Sequence, residues 1–268
     1  MKSFFRIIFF GLFVYIVLSV LIGLLKPSSF SESGCEDQFL VTNRENDRYH
    51  QRDWSYSDRS RSFCSQYNTI ESISETAGHK RNGMAYEYDS YEDLWGTVYR
   101  NLVVDSKGDI DFLVDSLSFI GNRRNLSRTD LAEMIVSFVQ DIPYSYVLGG
   151  DCEKFETKGK PCLGNMSFGI LSPYEFVHSL YGDCDTRSVL IYTILEEMGF
   201  DPMIVVSSEY AHAMLALNIP AEGDHLKYRG NNYYFWETTA EGWPLGMLPP
   251  TTNNVNYWKV ALAREIRE

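Results

Sequence analysis

Three residues in the last third of the chain could together make a nucleophilic thiol: Cys184, His212 and Glu237, spaced 28 and 25 residues apart. A cysteine attacks well when its pKa is lowered, an imidazole can take its proton and a third group orients that imidazole. Cys184 opens a predicted helix, where unpaired N–H groups and the helix dipole favour a thiolate. His212 begins the second strand after that helix, and Glu237 ends the third. In an antiparallel pair those two strand ends can lie side by side. The carboxylate then takes one ring nitrogen and leaves the other for the sulfur. The chemistry such a set supports is nucleophilic attack by the sulfur. Singly, each residue has a plainer use: a packed cysteine, a polar strand edge, a turn-capping glutamate.

The elements that must position them can be read from periodicity and capping signals. Leu94, Trp95, Val98, Leu102 and Val103 fit one helix; Ile110, Leu113, Leu117 and Ile120 fit a second, with Gly121 where a C-cap would stand. Ser127 and Asp130 open a third helix with Leu131, Ile135, Phe138, Val139 and Ile142 on its apolar face, ended by Pro143. Ser172-Pro173-Tyr174-Glu175 is an N-cap, N1 and N3 set for a short helix toward Leu180. Asp183 can cap the helix that Gly199 closes. Strands are expected over 202–206, 212–219, 233–237 and 258–262, the third preceded by the turn residues Arg229-Gly230-Asn231-Asn232. A strand pair is expected earlier, at 52–57 and 62–73. Helices first and an antiparallel sheet after them is an α+β layout.

Read together, Gly182-Asp183-Cys184-Asp185 opening a helix, Met198-Gly199-Phe200 ending it, His212-Ala213 starting a strand and Trp236-Glu237-Thr238-Thr239 ending another resemble the transglutaminase-like superfamily of thiol enzymes. The upstream Phe138-Val139-Gln140-Asp141-Ile142-Pro143-Tyr144 is similar to the helix before that family's active site. The resemblance covers about 130–240. It implies an α+β core distantly related to papain, with Cys184 as nucleophile, His212 as general base and Glu237 as the third member. Most of the family has Asp at that last place, usually before Pro-Thr; a longer side chain still orients the ring if the strand end is set back. The resemblance also implies an oxyanion site made by the Cys184 N–H and an upstream side chain, for which Tyr144 is the candidate and Gln140 the reserve. The mechanism the resemblance implies is acyl transfer through a thioester on Cys184, whose resolution by water gives a peptidase or amidase and by an amine gives crosslinking; hydrolysis is the expected outcome.

Residues 7–25 are nineteen uncharged positions, about 28 Å as helix, close to a bilayer core. Lys2 and Arg6 precede the run, and Pro27 and an acidic stretch follow Lys26. The charge bias therefore places the short end in the cytoplasm and the rest outside. The run is longer than a signal-peptide core and no A-x-A follows, which favours a membrane anchor over a cleaved leader. The expected organisation is an anchor at 1–26, a linker at 27–50, an accessory region at 51–125 and the transglutaminase-like catalytic core at 126–268. In an oxidising compartment the five cysteines can pair as Cys152–Cys162, around the loop CEKFETKGKPC, and Cys35–Cys64, leaving Cys184 free. A net charge of -12 without a basic stripe makes nucleic acid an unsuitable partner, and a peptide or protein substrate is expected instead. No cofactor is implied. His50, His79, His178 and His225 lack metal-site spacing, and no D-x-D-x-D-G calcium loop is present. Two other readings stand beside the enzyme: a non-catalytic peptide-binding module on the same fold, and a disulfide-stapled structural ectodomain with an inert Cys184.

Overall fold

Nine residues on each side make the first element, a hairpin of β1 (Asp47–Ser55) and β2 (Ser62–Ile70) in unbroken antiparallel register. The computed structural model describes residues 47–85 and 89–264, so the apolar run at 7–25, most of the linker and Cys35 lie outside the described residues. Among the described residues no helix is long and apolar enough to cross a membrane. The hairpin takes four residues from the expected linker, and its second strand stops at Ile70 rather than 73. Glu71–Asn82 is instead a helix, α1.

That helix escapes periodicity because it has almost no apolar stripe. Its buried residues are Ala77, Gly78 and Arg81. Arg81 holds Glu175 through two bonds, Nε to Oε2 at 3.0 Å and Nη2 to Oε1 at 2.9 Å. A buried fork of this kind carries its own compensation for desolvation, so a polar helix can be packed inward. Beside it, His50 and His178 flank the Thr69 hydroxyl at 3.0 and 2.8 Å, and His178 reaches Glu71 at 2.9 Å.

Three longer helices follow: α2 (Tyr91–Ser106), α3 (Asp111–Arg123) and α4 (Arg128–Gln140). Ser90 and Ser127 cap α2 and α4 by accepting from the N–H three residues on. Gly121 does not end α3. It lies within the helix, and a Cβ there would come 2.7 Å from Leu131 Cδ1, so the glycine serves close helix packing. Trp54 of β1 donates to the Met134 carbonyl at 3.0 Å and meets Phe138 edge-on, which seats the hairpin on α4.

Tyr146–Val147 (β3) and Cys162–Leu163 (β4) form a short parallel pair. The Cys152–Cys162 disulfide closes the loop between them; constraining a loop of this length in the unfolded chain contributes roughly 2–3 kcal/mol on the entropy model. Cys64 is disulfide-bonded as well. The short α5 (Pro173–Ser179) carries the complete capping box of Ser172 and Glu175. Then come α6 (Cys184–Glu197) and β5 (Pro202–Ser207), β6 (His212–Leu217), β7 (His225–Tyr228), β8 (Asn231–Trp236) and β9 (Lys259–Ala263).

The five strands form one antiparallel sheet in the order β7-β8-β6-β5-β9. β7 carries no strand signal in the sequence, because HLKY is a half-exposed edge without alternation. Ile204, Val206, Ala213, Leu215 and Trp236 face the helical layer, whose centre is α6. Met203, Val205, Met214 and Phe235 face away and are covered by Leu248 and Trp258. α2 lies against β9 so closely that a Cβ at Gly96 would fall 2.4 Å from the Ala261 carbonyl oxygen. The architecture is α+β. No seam falls at 125/126, since Trp54, Leu102 and Leu117 share one core with Phe138, Leu190 and Leu215.

Candidate functional site

Local chain chemistry places Cys184 first. Leu180 adopts a left-handed conformation, φ 60°, ending α5. Gly182 then passes against the Phe176 ring, where a Cβ would meet ring carbon at 2.5 Å, so only glycine fits. Asp183 caps α6 by accepting from the Thr186 N–H at 3.2 Å. The turn is anchored by Arg187, a fully buried guanidinium. It donates to the carbonyls of Gly182, Val139, Thr238 and Ile142. Four carbonyls from three chain segments thereby converge on one guanidinium, three residues after Cys184.

His212 is delivered by a tight β5–β6 connection in which Ala211 has φ 47°, a conformation that costs a non-glycine residue about 1 kcal/mol. The expected imidazole–carboxylate pair is formed. His212 Nε2 and Glu237 Oε2 are 2.8 Å apart. Glu237 Oε1 accepts from the Thr239 N–H at 2.8 Å and the Thr239 hydroxyl at 2.7 Å. Burial pushes this carboxyl up, but the bonds from His212 and Thr239 together hold it below the usual glutamate range. Glu237 is 4% exposed, and Trp258 packs edge-on to the His212 ring.

The sulfur is differently engaged from what was expected. Cys184 is the free cysteine among the described residues and is 8% exposed. Its thiol donates to Asp185 Oδ2 at 3.7 Å, not to the imidazole. The N–H of Ala213, the residue after His212, favours the ionised sulfur. Against it stand burial first, then the charges of Asp185 and Asp183, and the thiol is held well above its ordinary value. The helix start therefore does not leave a ready thiolate: two carboxylates and desolvation outweigh the dipole.

Tyr144 lies close enough to the thiol that, after burial, the Cys184 charge is the next cause raising its phenol. Its ring stacks edge-on with Tyr146 at 5.3 Å, Tyr146 meets Phe155 at 4.9 Å, and Lys160 Nζ lies 4.4 Å over the Tyr144 ring. Phe155 and Lys160 of the disulfide-closed loop thus join the ring cluster of Tyr144 and Tyr146. Gln140 is excluded as a reserve oxyanion donor. Its Nε2 is committed to the carbonyls of Glu237 (2.7 Å) and Trp243 (3.0 Å), so it fixes the strand end that bears Glu237.

Asp183 has a measurable consequence. Burial and the neighbouring Asp185 charge push its carboxyl up to about 8. A carboxyl raised on folding holds its proton more tightly in the native state. Its contribution is complete below about pH 4, and stability is lost as pH rises toward 8. Asp183→Asn keeps the cap and removes the titration. We expect the variant and the parent to melt together near pH 4 and the variant to melt progressively higher between pH 5 and 8, measured by thermal unfolding across that range.

Among the described residues no cluster of His, Cys, Asp or Glu is arranged to hold a metal ion. A cavity of about 820 Å³ lies toward the other end of α6, among Arg100, Glu196, Tyr233 and Arg264, and no member of the Cys184–His212–Glu237 set lines it. Comparison with models of known families, with curated proteins and with solved structures returns no match.

Proposed function

We propose that the chain is a cysteine-dependent acyl-transfer enzyme of the transglutaminase-like class, hydrolysing peptide or amide bonds and held outside the cytoplasm by the apolar run at 7–25. The observation that carries this reading is the half-buried His212 paired to the buried Glu237, on a strand whose Ala213 N–H meets the Cys184 sulfur. Cys184 Sγ attacks the carbonyl carbon as His212 takes the thiol proton, and the carbonyl oxygen becomes an oxyanion near the Cys184 N–H and the Tyr144 hydroxyl. The imidazolium returns that proton to the departing amine, leaving a thioester. A water, deprotonated by His212, adds to the thioester; the acid leaves and the thiol is restored.

The test is an activated acetyl ester as acyl donor. Wild-type protein should form an acetylated Cys184 by intact mass and turn it over. Cys184→Ala should fall to the background rate, and added methylamine reports how the thioester partitions between water and amine. Equal rates for wild type and Cys184→Ala would overturn the enzyme. A second reading, a peptide-binding module without turnover, is favoured by the burial and raised pKa of the thiol. There Cys184→Ala would retain peptide binding, and the wild type would show no acetyl intermediate.

A further inference from the structure

Cys184 has two potential partners for its proton, and the resting structure uses the one that triad chemistry does not need. Asp185 follows Cys184 in the first turn of α6, yet its carboxylate is turned back to accept from the sulfur on Oδ2. Its other oxygen, Oδ1, accepts from the Tyr99 hydroxyl of α2. Tyr99 is fully buried and stacks on Trp95 at 5.4 Å, so the carboxylate is held from a rigid helix rather than left to swing.

We propose that Asp185, gripped by Tyr99, is a positioning residue: its carboxylate accepts from the Cys184 S–H and holds the sulfur as a resting thiol, and the S–H proton passes to His212 only as the sulfur attacks. This rests on the thiol-enzyme reading and names a control of that same site. The chemical sense is protection. A free thiolate in an oxidising compartment is the form that is oxidised or exchanges with disulfides, whereas a thiol bonded to a carboxylate is slow in both reactions.

Other charges at the site do not provide this hold. Asp183 also raises the thiol, but its carboxylate is directed at the Thr186 N–H. Glu237 is committed to His212 and Thr239. Tyr91 and Tyr99 on α2 and Tyr144 after α4 face the site as neutral phenols, each with its pKa raised first by burial. Arg187 is turned to backbone carbonyls. Burial raises the Asp185 carboxyl above the usual range, opposed by the bond from Tyr99, the His212 charge and the bond from Cys184, and the Ala213 N–H on β6 favours charge on the sulfur. Among the described residues, Asp185 is the carboxylate that receives the S–H.

The experiment is the pH dependence of carboxamidomethylation of Cys184 by iodoacetamide, followed by mass mapping from pH 5.5 to 9.5. It uses the full chain in wild type, Asp185→Asn and His212→Ala, with thermal melts confirming the fold. Removing the Asp185 charge should move the profile about one pH unit lower. It should also raise the rate at pH 7 about threefold, after allowing for the weaker nucleophilicity of a less basic thiolate. A profile for Asp185→Asn that superimposes on wild type, or moves to higher pH, overturns the proposal. Should Asp185→Asn fail to fold, Asp185→Ser, smaller and still able to accept from Tyr99, is read by the same criteria. Failure of the enzyme reading is separate: it shows as a His212→Ala profile unchanged from wild type, whatever Asp185→Asn does.

Discussion

Arg187→Met should unfold at a far lower urea concentration than the parent chain, with a loss of at least about 4 kcal/mol. The substitution keeps a similar volume but leaves the carbonyls of Gly182, Val139, Thr238 and Ile142 buried without their donor. Each such carbonyl costs about 1–3 kcal/mol, and only part is recovered by relaxation or an entering water. Domain stabilities are typically about 5–15 kcal/mol, so the loss is a large share of the total. Burial already draws the guanidinium down to about 10, and it stays charged at neutral pH. Lysine is no substitute: a single ammonium has three donors and no planar fork. An unchanged urea midpoint would mean that these four carbonyls find other partners.

Glu237→Gln should lower turnover of the acyl donor by roughly 10²–10⁴-fold, as loss of a triad carboxylate does elsewhere, while the fold melts close to wild type. Oε1 receives two donors from Thr239, so the amide oxygen will take that place and the NH₂ will face His212. A donor then meets the Nε2–H that the native carboxylate accepts, and the ring must change tautomer or turn away. The tautomer required for Nδ1 to act as base is lost without disturbing the core. Turnover within a factor of about three of wild type would remove Glu237 from the machinery.

What was legible in the sequence was what is local. Ser127, Ser172 with Pro173 and Glu175, and Asp183 mark helix starts because a cap acts over three residues, and all three caps are present. The apolar runs MIVV, AMLAL and YYFW mark β5, β6 and β8 as strands, and the pairing of β6 with β8 brings His212 to Glu237. Features set by distant partners were not legible. α1 is packed through Arg81, whose partner Glu175 lies far along the chain. Gly121 reads as a stop because nothing nearby says that Leu131 will press on it. Gln140 reads as a chemical group, yet its amide is used up on the carbonyls of Glu237 and Trp243. Arg187 has no local signal for its role, since its four acceptors come from three separate segments of the chain. Asp185 is adjacent to Cys184 in the sequence. Only Tyr99, from another helix, explains why its carboxylate turns toward the sulfur.

The close approach of α2 to β9 bears on self-association. A sheet recruits strands from neighbouring molecules through unpaired backbone groups along its outermost strands. Here the Ala261 carbonyl of one outermost strand looks into helix backbone at Gly96, which blocks a docking strand at that point. The opposite boundary, His225–Tyr228, is four residues long and carries Lys227, a short and charged template. A bulkier residue at Gly96 would lift the helix and uncover the longer boundary, so clumping of the folded protein should begin there.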